Sequence, residues 1–168
     1  MTLYHGSSKI IKNPALGHSI RTLDFGPGLY TTTNEEQAKD FADKVYERAI
    51  RENIIPKGRF ISIYTVDFES MSNRLNILSF DTPNEEWFDF VMANRRNLYK
   101  GRKYDILFGP VANDTIFRTL ISFETGEISK KEAIKRLKVR KLFNQMVFAS
   151  QKSMEFLNFA GYKEVGNG

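Results

Sequence analysis

The chain has 168 residues, 41% hydrophobic and 13% aromatic, with 25 Lys and Arg against 20 Asp and Glu; that length suits one domain with a real core, and the composition is far from that of a disordered chain. Zero cysteines exclude disulfides and thiolate metal sites, fit a reducing compartment, and leave two histidines as a poor basis for a metal centre. No apolar run approaches the roughly 18 residues that span a bilayer, and MTLYHGSSK lacks the basic-then-apolar order of a signal peptide, so a cytoplasmic protein with no membrane partner is expected.

The first strand is predicted over Thr2 to His5, closed by Gly6, Ser7 and Ser8. DFGPGLYTTT, from Asp24 to Thr33, then combines glycine's freedom, proline's fixed dihedral and threonine's preference for extended chain. It reads as a tight corner delivering a strand, and Tyr30 within it is either core or aimed at a ligand. Thr33 with Glu36 has the spacing of a capping box, after which Ala38, Phe41, Ala42, Val45 and Ala49 recur at helical spacing. Gly58 separates this helix from FISIYTVDF, Phe60 to Phe68, a long β-branched and aromatic strand, and a shorter strand is predicted over Leu75 to Phe80.

Thr82 and Glu85 repeat the capping signature around Pro83, opening a helix that carries Trp87, Phe90 and Val91 inward and runs to about Asn97. A buried strand is expected over Tyr104 to Pro110, then a helix capped by Asn113 or Asp114 that continues through Ile116 and Leu120. Ser129 and Glu132 start another helix in the same way. The end of the chain reads as a strand at Gln145 to Ala149, a helix capped by Ser150 carrying Met154, Phe156 and Leu157, and a short strand from Tyr162 to Val165. No repeat, low-complexity tract or linker divides the chain, so residues 1–168 read as a single domain. The irregular alternation of strands and helices lacks the rhythm of a doubly wound sheet and points to the α+β class.

The net charge is +5 and the pI about 9.4, and the basic excess peaks in KKEAIKRLKVRK, Lys130 to Lys141, where seven basic residues stand against the single Glu132. Such a run is either a solvated helix face or a salt-dependent contact for nucleic acid or an acidic protein.

Phosphate-loop, dinucleotide-fingerprint, nucleophile-elbow and zinc-protease motifs are all missing from the sequence. What stands out is a set of polar residues at strand ends: His5 in LYHGS, Tyr30 in GLYTT and Gln145 in NQMVFAS. Taken singly, each has an ordinary explanation, as a satisfied structural histidine, a core tyrosine and an edge glutamine.

Taken in order, they resemble the three motifs of ADP-ribosyltransferases of the diphtheria toxin and poly-ADP-ribose polymerase type. The chain looks closer still to an uncharacterised bacterial family of that superfamily, often encoded beside small antitoxin-like genes. The resemblance rests on YHGS at Tyr4 to Ser7, R-x-x-DFGPGLYTT from Arg21 to Thr32, Asn94-Arg95, YDILFGPVANDT from Tyr104 to Thr115 and NQMVFAS from Asn144 to Ser150, and it covers about Leu3 to Lys163.

This resemblance implies a split mixed β-sheet core with flanking helices, NAD as co-substrate, and transfer of ADP-ribose to a protein or nucleic-acid acceptor. It further implies a toxin with a small antitoxin protein as partner. The catalytic residues would be His5, Tyr30 and Gln145, and NAD would be held by His5, Gly6, Ser7, Arg21, Gly28 and Tyr30. Within that set the Gly6 backbone would grip the nicotinamide carboxamide, His5 the adenosine ribose, and Tyr30 would stack on the nicotinamide ring. Arg21 would pair with the pyrophosphate, or is an exposed loop cation. Many superfamily members carry a glutamate where Gln145 aligns. An amide can hydrogen-bond a ribose, but it has no charge to stabilise an oxocarbenium-like sugar and cannot act as a general base. Asp105 and Asp114 are candidate replacement acids, the alternatives being a strand anchor and a helix cap, while Asn94 and Arg95 either line the cleft or finish their helix. Two other outcomes stay open: a non-catalytic module that binds NAD, ADP-ribose or nucleic acid, and an NAD glycohydrolase.

Overall fold

A computed structural model describes residues 1–17, 23–111, 114–138 and 143–166. In chain order the elements are β1 (Thr2–Ser7), β2 (Leu29–Thr31), α1 (Glu35–Arg51), β3 (Phe60–Thr65), α2 (Phe68–Ser72), β4 (Ile77–Ser79), α3 (Glu85–Arg95), β5 (Ile106–Val111), α4 (Asp114–Glu124), α5 (Lys130–Lys138), β6 (Phe143–Phe148), α6 (Gln151–Met154) and β7 (Asn158–Glu164). This is an α+β fold with two open sheets. One has the order β1-β3-β7 and is antiparallel. The other has the order β2-β6-β5-β4 and is mixed, because β4 lies parallel to β5 while the remaining pairs are antiparallel.

The sheets are joined where Tyr4 and Thr32 exchange both backbone hydrogen bonds, at 2.8 and 3.0 Å. Successive side chains on a strand point to opposite faces, and β6 uses both. Met146 and Phe148 enter a cluster with Leu3, Tyr64, Met71 and Ile106, whereas Val147 enters a second cluster with Trp87, Phe88, Val91, Leu120 and Leu137 from the helices. Pro110 is tolerated in β5 because it falls after β4 has ended at Ser79, where no neighbour on that side asks for its missing N–H. Its carbonyl accepts the indole N–H of Trp87 at 2.7 Å, which satisfies the polar atom of a fully buried side chain.

Two helix starts differ from the capping signatures. Asn34, not Thr33, caps α1 by accepting the N–H of Gln37, and Asn84, not Thr82, caps α3 by accepting the N–H of Trp87. At α1 the reason lies in the strand: Thr32 is still bonded to Tyr4, so the helix starts only after the extended chain is released. The Ser129 and Ser150 caps form as expected.

Helix ends follow a common device. Asn53 and Asn97 adopt φ of 57° and 55° and Gly126 77°, and the residue after each donates back to the turn: Ile54 to Ala49, Leu98 to Ala93, Glu127 to Ser122. The predicted strand Phe60 to Phe68 stops at Thr65, since Asp67 caps α2. β7 is longer than the predicted Tyr162 to Val165, and β1 extends through Gly6 and Ser7. The proposed caps Asn113 and, as a side chain, Asp114 lie outside the described residues. No described helix is long and apolar enough to cross a membrane.

Candidate functional site

The join between the sheets brings the three motif residues onto neighbouring strands. His5 on β1 hydrogen-bonds through Nδ1 to the carbonyl of Tyr30 on β2 at 2.7 Å. That carbonyl can only accept, so Nδ1 carries the proton, and a neutral ring leaves Nε2 as an acceptor. Part of His5 remains accessible, yet its surroundings are dense enough that burial lowers its pKa below the usual 6.5, opposed by the bond to Tyr30. Tyr30 pairs with Val147, and Gln145, two residues along β6, shares the face of Val147. Gln145 is buried beside Gly109 of β5, and no side chain among the described residues hydrogen-bonds its amide.

Gly6 is placed by two constraints. A Cβ there would lie 1.9 Å from the Ala38 carbonyl oxygen, so α1 packs directly on the strand and only glycine fits. Because Tyr4 turns its backbone groups toward Thr32, alternation along β1 turns those of Gly6 toward the same edge, where the sheets part. Ser7 is buried at the end of β1 opposite Phe60. Thr32 donates its hydroxyl to Gln37 of α1 at 2.6 Å, fixing that helix end against the join. Arg21 lies outside the described residues.

The corner before Tyr30 is closed by the tyrosine itself. Its hydroxyl donates to the Gly26 carbonyl at 2.6 Å and accepts the Phe25 N–H at 3.1 Å. Burial pushes the phenol well above its ordinary pKa of 10, so it keeps its proton and its donor role. Gly26 has φ of 78°, and a side chain there would strike Asn94. Asp24 is held by Arg95 of α3 at 2.8 Å, with side-chain exposures of 8% and 16%, an ion pair largely withdrawn from solvent. Gly28 sits so close to β6 that a Cβ would come within 2.7 Å of Phe148 O and Val147 Cγ1. Arg95 therefore anchors the corner, while Asn94 donates to Phe90 O and also faces Gly26.

The two candidate acids differ in position. Asp105 sits at the far end of β5 from Gly109, accepting Ser150 Oγ at 2.6 Å and the Asn76 N–H at 3.0 Å. Despite opposing desolvation, these bonds hold its pKa below the usual carboxylate value. It is the strand anchor of the two alternatives, tying β5 to α6. Asp114 opens α4 just beyond the Gln145 end of β5. The basic helix spends part of its charge internally: Lys130 meets Glu85 and Asp89 of α3, and Arg136 meets Glu132.

A sizeable open space adjoins the corner. A cavity of about 560 Å³ is bounded by Phe25, Gly26 and Pro27 and by residues from the end of α3 to the start of β5. Neither His5, Gly6, Tyr30 nor Gln145 lines it. Sequence reading missed the segment that does, YKGRKY from Tyr99 to Tyr104, although its basic residues between two tyrosines are a readable signal for anion or base contact.

Fold and site together define an α+β protein of two open sheets with a polar join between them. The chain belongs to the protein family of unknown function DUF3990, which it matches over residues 1–159. No curated protein matches it.

Proposed function

We propose that this protein is an NAD-dependent ADP-ribosyltransferase with the fold of that superfamily, acting as the toxin of a bacterial toxin–antitoxin pair. The observation that carries the reading is the meeting of His5 with Tyr30 at the sheet join, with Gln145 on the next strand. The reaction breaks the bond between nicotinamide N1 and ribose C1′, with the electron pair leaving on nicotinamide. An acceptor nucleophile then bonds C1′ and gives up its proton to water.

Each group has a part in that step. The backbone N–H and C=O of Gly6, turned to the open edge of β1, suit the nicotinamide carboxamide. Nε2 of His5 accepts a ribose hydroxyl, its other nitrogen being fixed by Tyr30. The Tyr30 ring, braced by its own hydroxyl, offers a flat face for nicotinamide. Gln145 hydrogen-bonds the nicotinamide ribose without charge, so the sugar cation loses a contact worth roughly 3–4 kcal/mol of barrier.

The test is incubation of the protein with NAD labelled in the adenylate and a bacterial lysate. Label on protein or nucleic acid, lost in His5→Ala and Tyr30→Ala, is expected, as is growth arrest by the intact protein only. No nicotinamide release under any condition would overturn the transferase.

A second reading, a module that binds NAD or ADP-ribose without transfer, is favoured by one observation. Gln145 is an amide, and Asp105 is already committed to Ser150 and Asn76. Tight NAD binding without nicotinamide release would select it.

A further inference from the structure

The cavity beneath the corner has a volume of about 560 Å³, within the roughly 300–1,000 Å³ that small-ligand sites occupy. Its walls are of three kinds. Phe90, Tyr99 and Tyr104 supply flat apolar surface, and Tyr99 is preset, its ring edge-on to Phe90 at 4.8 Å and its hydroxyl donating to Arg102 O at 2.7 Å. Asn94 has given one amide N–H to Phe90 O and keeps the other, with its oxygen, for a ring edge. Arg102 and Lys103 supply positive charge, and no carboxylate lines the cavity among the described residues.

Of these cations, Arg102 gives one donor to Asn76 at 2.8 Å and keeps others for a ligand, while Lys103 is exposed with no partner among the described residues. Cations with no acid to neutralise them select an anion, and aromatic faces with an amide beside them select a flat ring bearing polar edges. A nucleotide has both. An acidic peptide would satisfy the charge but leave the aromatic walls and the amide unused.

We propose that this cavity binds a nucleotide, its base against Tyr99 and Tyr104 and its phosphate on Arg102 and Lys103. The site is physically joined to the sheet join, because the Tyr30 hydroxyl is bonded to Phe25 and Gly26, which form the cavity wall. If the transferase reading holds, the occupant is a nucleotide of a nucleic-acid acceptor, held across the corner from the sheet join.

The experiment is calorimetric titration of the full chain, without NAD, using uridine monophosphate, hexauridylate and a hexaglutamate peptide. Binding of both uridine probes, weakened about tenfold or more by Lys103→Glu and by Arg102→Gln and unchanged in His5→Ala, is expected. Hexauridylate binding well above the monophosphate identifies single-stranded nucleic acid as the source; equal affinities identify a free nucleotide. No binding of either uridine probe, tighter binding of hexaglutamate, or loss in His5→Ala with none in Lys103→Glu would overturn the proposal. Because NAD is omitted, failure here is separate from failure of the transferase reading.

Discussion

The sheet join and the cavity meet at one corner, and they are built by opposite rules. At the join, backbone lies on backbone: α1 rests on Gly6, β6 on Gly28, and His5 Nδ1 and the Tyr30 hydroxyl are taken up by backbone groups nearby. At the cavity, aromatic and basic side chains form the wall, and Arg102 and Lys103 border the space with no carboxylate lining it among the described residues. The difference teaches that the residues most conspicuous as a motif hold the chain in place as much as they present chemistry. The cavity joins residues of the quoted strings, such as Phe25, Asn94 and Tyr104, to Tyr99, Arg102 and Lys103, which lie outside them.

The ion pair that pins the corner offers the largest expected effect. Arg95→Ala withdraws the guanidinium from Asp24, whose side chain is only 8% exposed, and should cost about 3 kcal/mol of unfolding free energy, read by urea denaturation. It should also loosen the cavity, so a variant that weakens NAD binding and leaves nucleotide binding intact would break the idea of a shared corner. Gly6→Ala comes next. The added methyl meets a backbone oxygen of α1, which cannot rotate away, and about 2–3 kcal/mol is expected. A cost near zero would mean that α1 does not sit on β1 as described.

Smaller effects separate ring from hydroxyl. Tyr30→Phe removes the bonds to Gly26 and Phe25 and should cost about 1.5 kcal/mol while keeping the ring and NAD binding. Last is pH. The pKa of His5 in the folded protein lies below its usual 6.5, so the unfolded chain takes up the proton first. Stability from this group is full above the unfolded value and falls as the pH drops below 6.5 toward the folded value. The slope, at most about 1.4 kcal/mol per unit, should be flatter in His5→Gln when denaturation is followed at pH ~7.5, ~6.5 and ~5.5.

Much of the fold was legible because its signals are local. Helical spacing placed α1 and a capping signature around Pro83 placed α3, while a β-branched and aromatic run placed β3 and an apolar run with a Gly-Pro stop placed β5. The misses have physical causes. Thr33 was read as the cap, but Asn34 takes that role because Thr32 just before it is still bonded to Tyr4, and that cross-strand bonding is a long-range fact. α2 was missed and β3 was carried on to Phe68, since Val66 and Phe68 are apolar in either geometry and only the Asp67 cap marks the helix start. β7 was shortened because its seven residues are mostly exposed or half-buried and pass through Gly161.

The site was legible in a different way. His5, Tyr30 and Gln145 could be named from resemblance, but not that His5 reaches a Tyr30 carbonyl, nor that Asp105 is bound at the far end of its strand. The cavity needs the end of α3, a turn at Asn97 and the start of β5 to meet a corner some seventy residues earlier, and although YKGRKY carries a local signal, nothing local says which segments it meets.

The measurement that bears most directly on the account is an NAD titration by calorimetry on the intact chain, His5→Ala, Tyr30→Ala and Lys103→Glu, each first shown to be folded by circular dichroism. Binding that is lost in the His5 and Tyr30 variants and retained in Lys103→Glu is the predicted result. Binding that survives both join variants, or is absent from the intact chain, would contradict it.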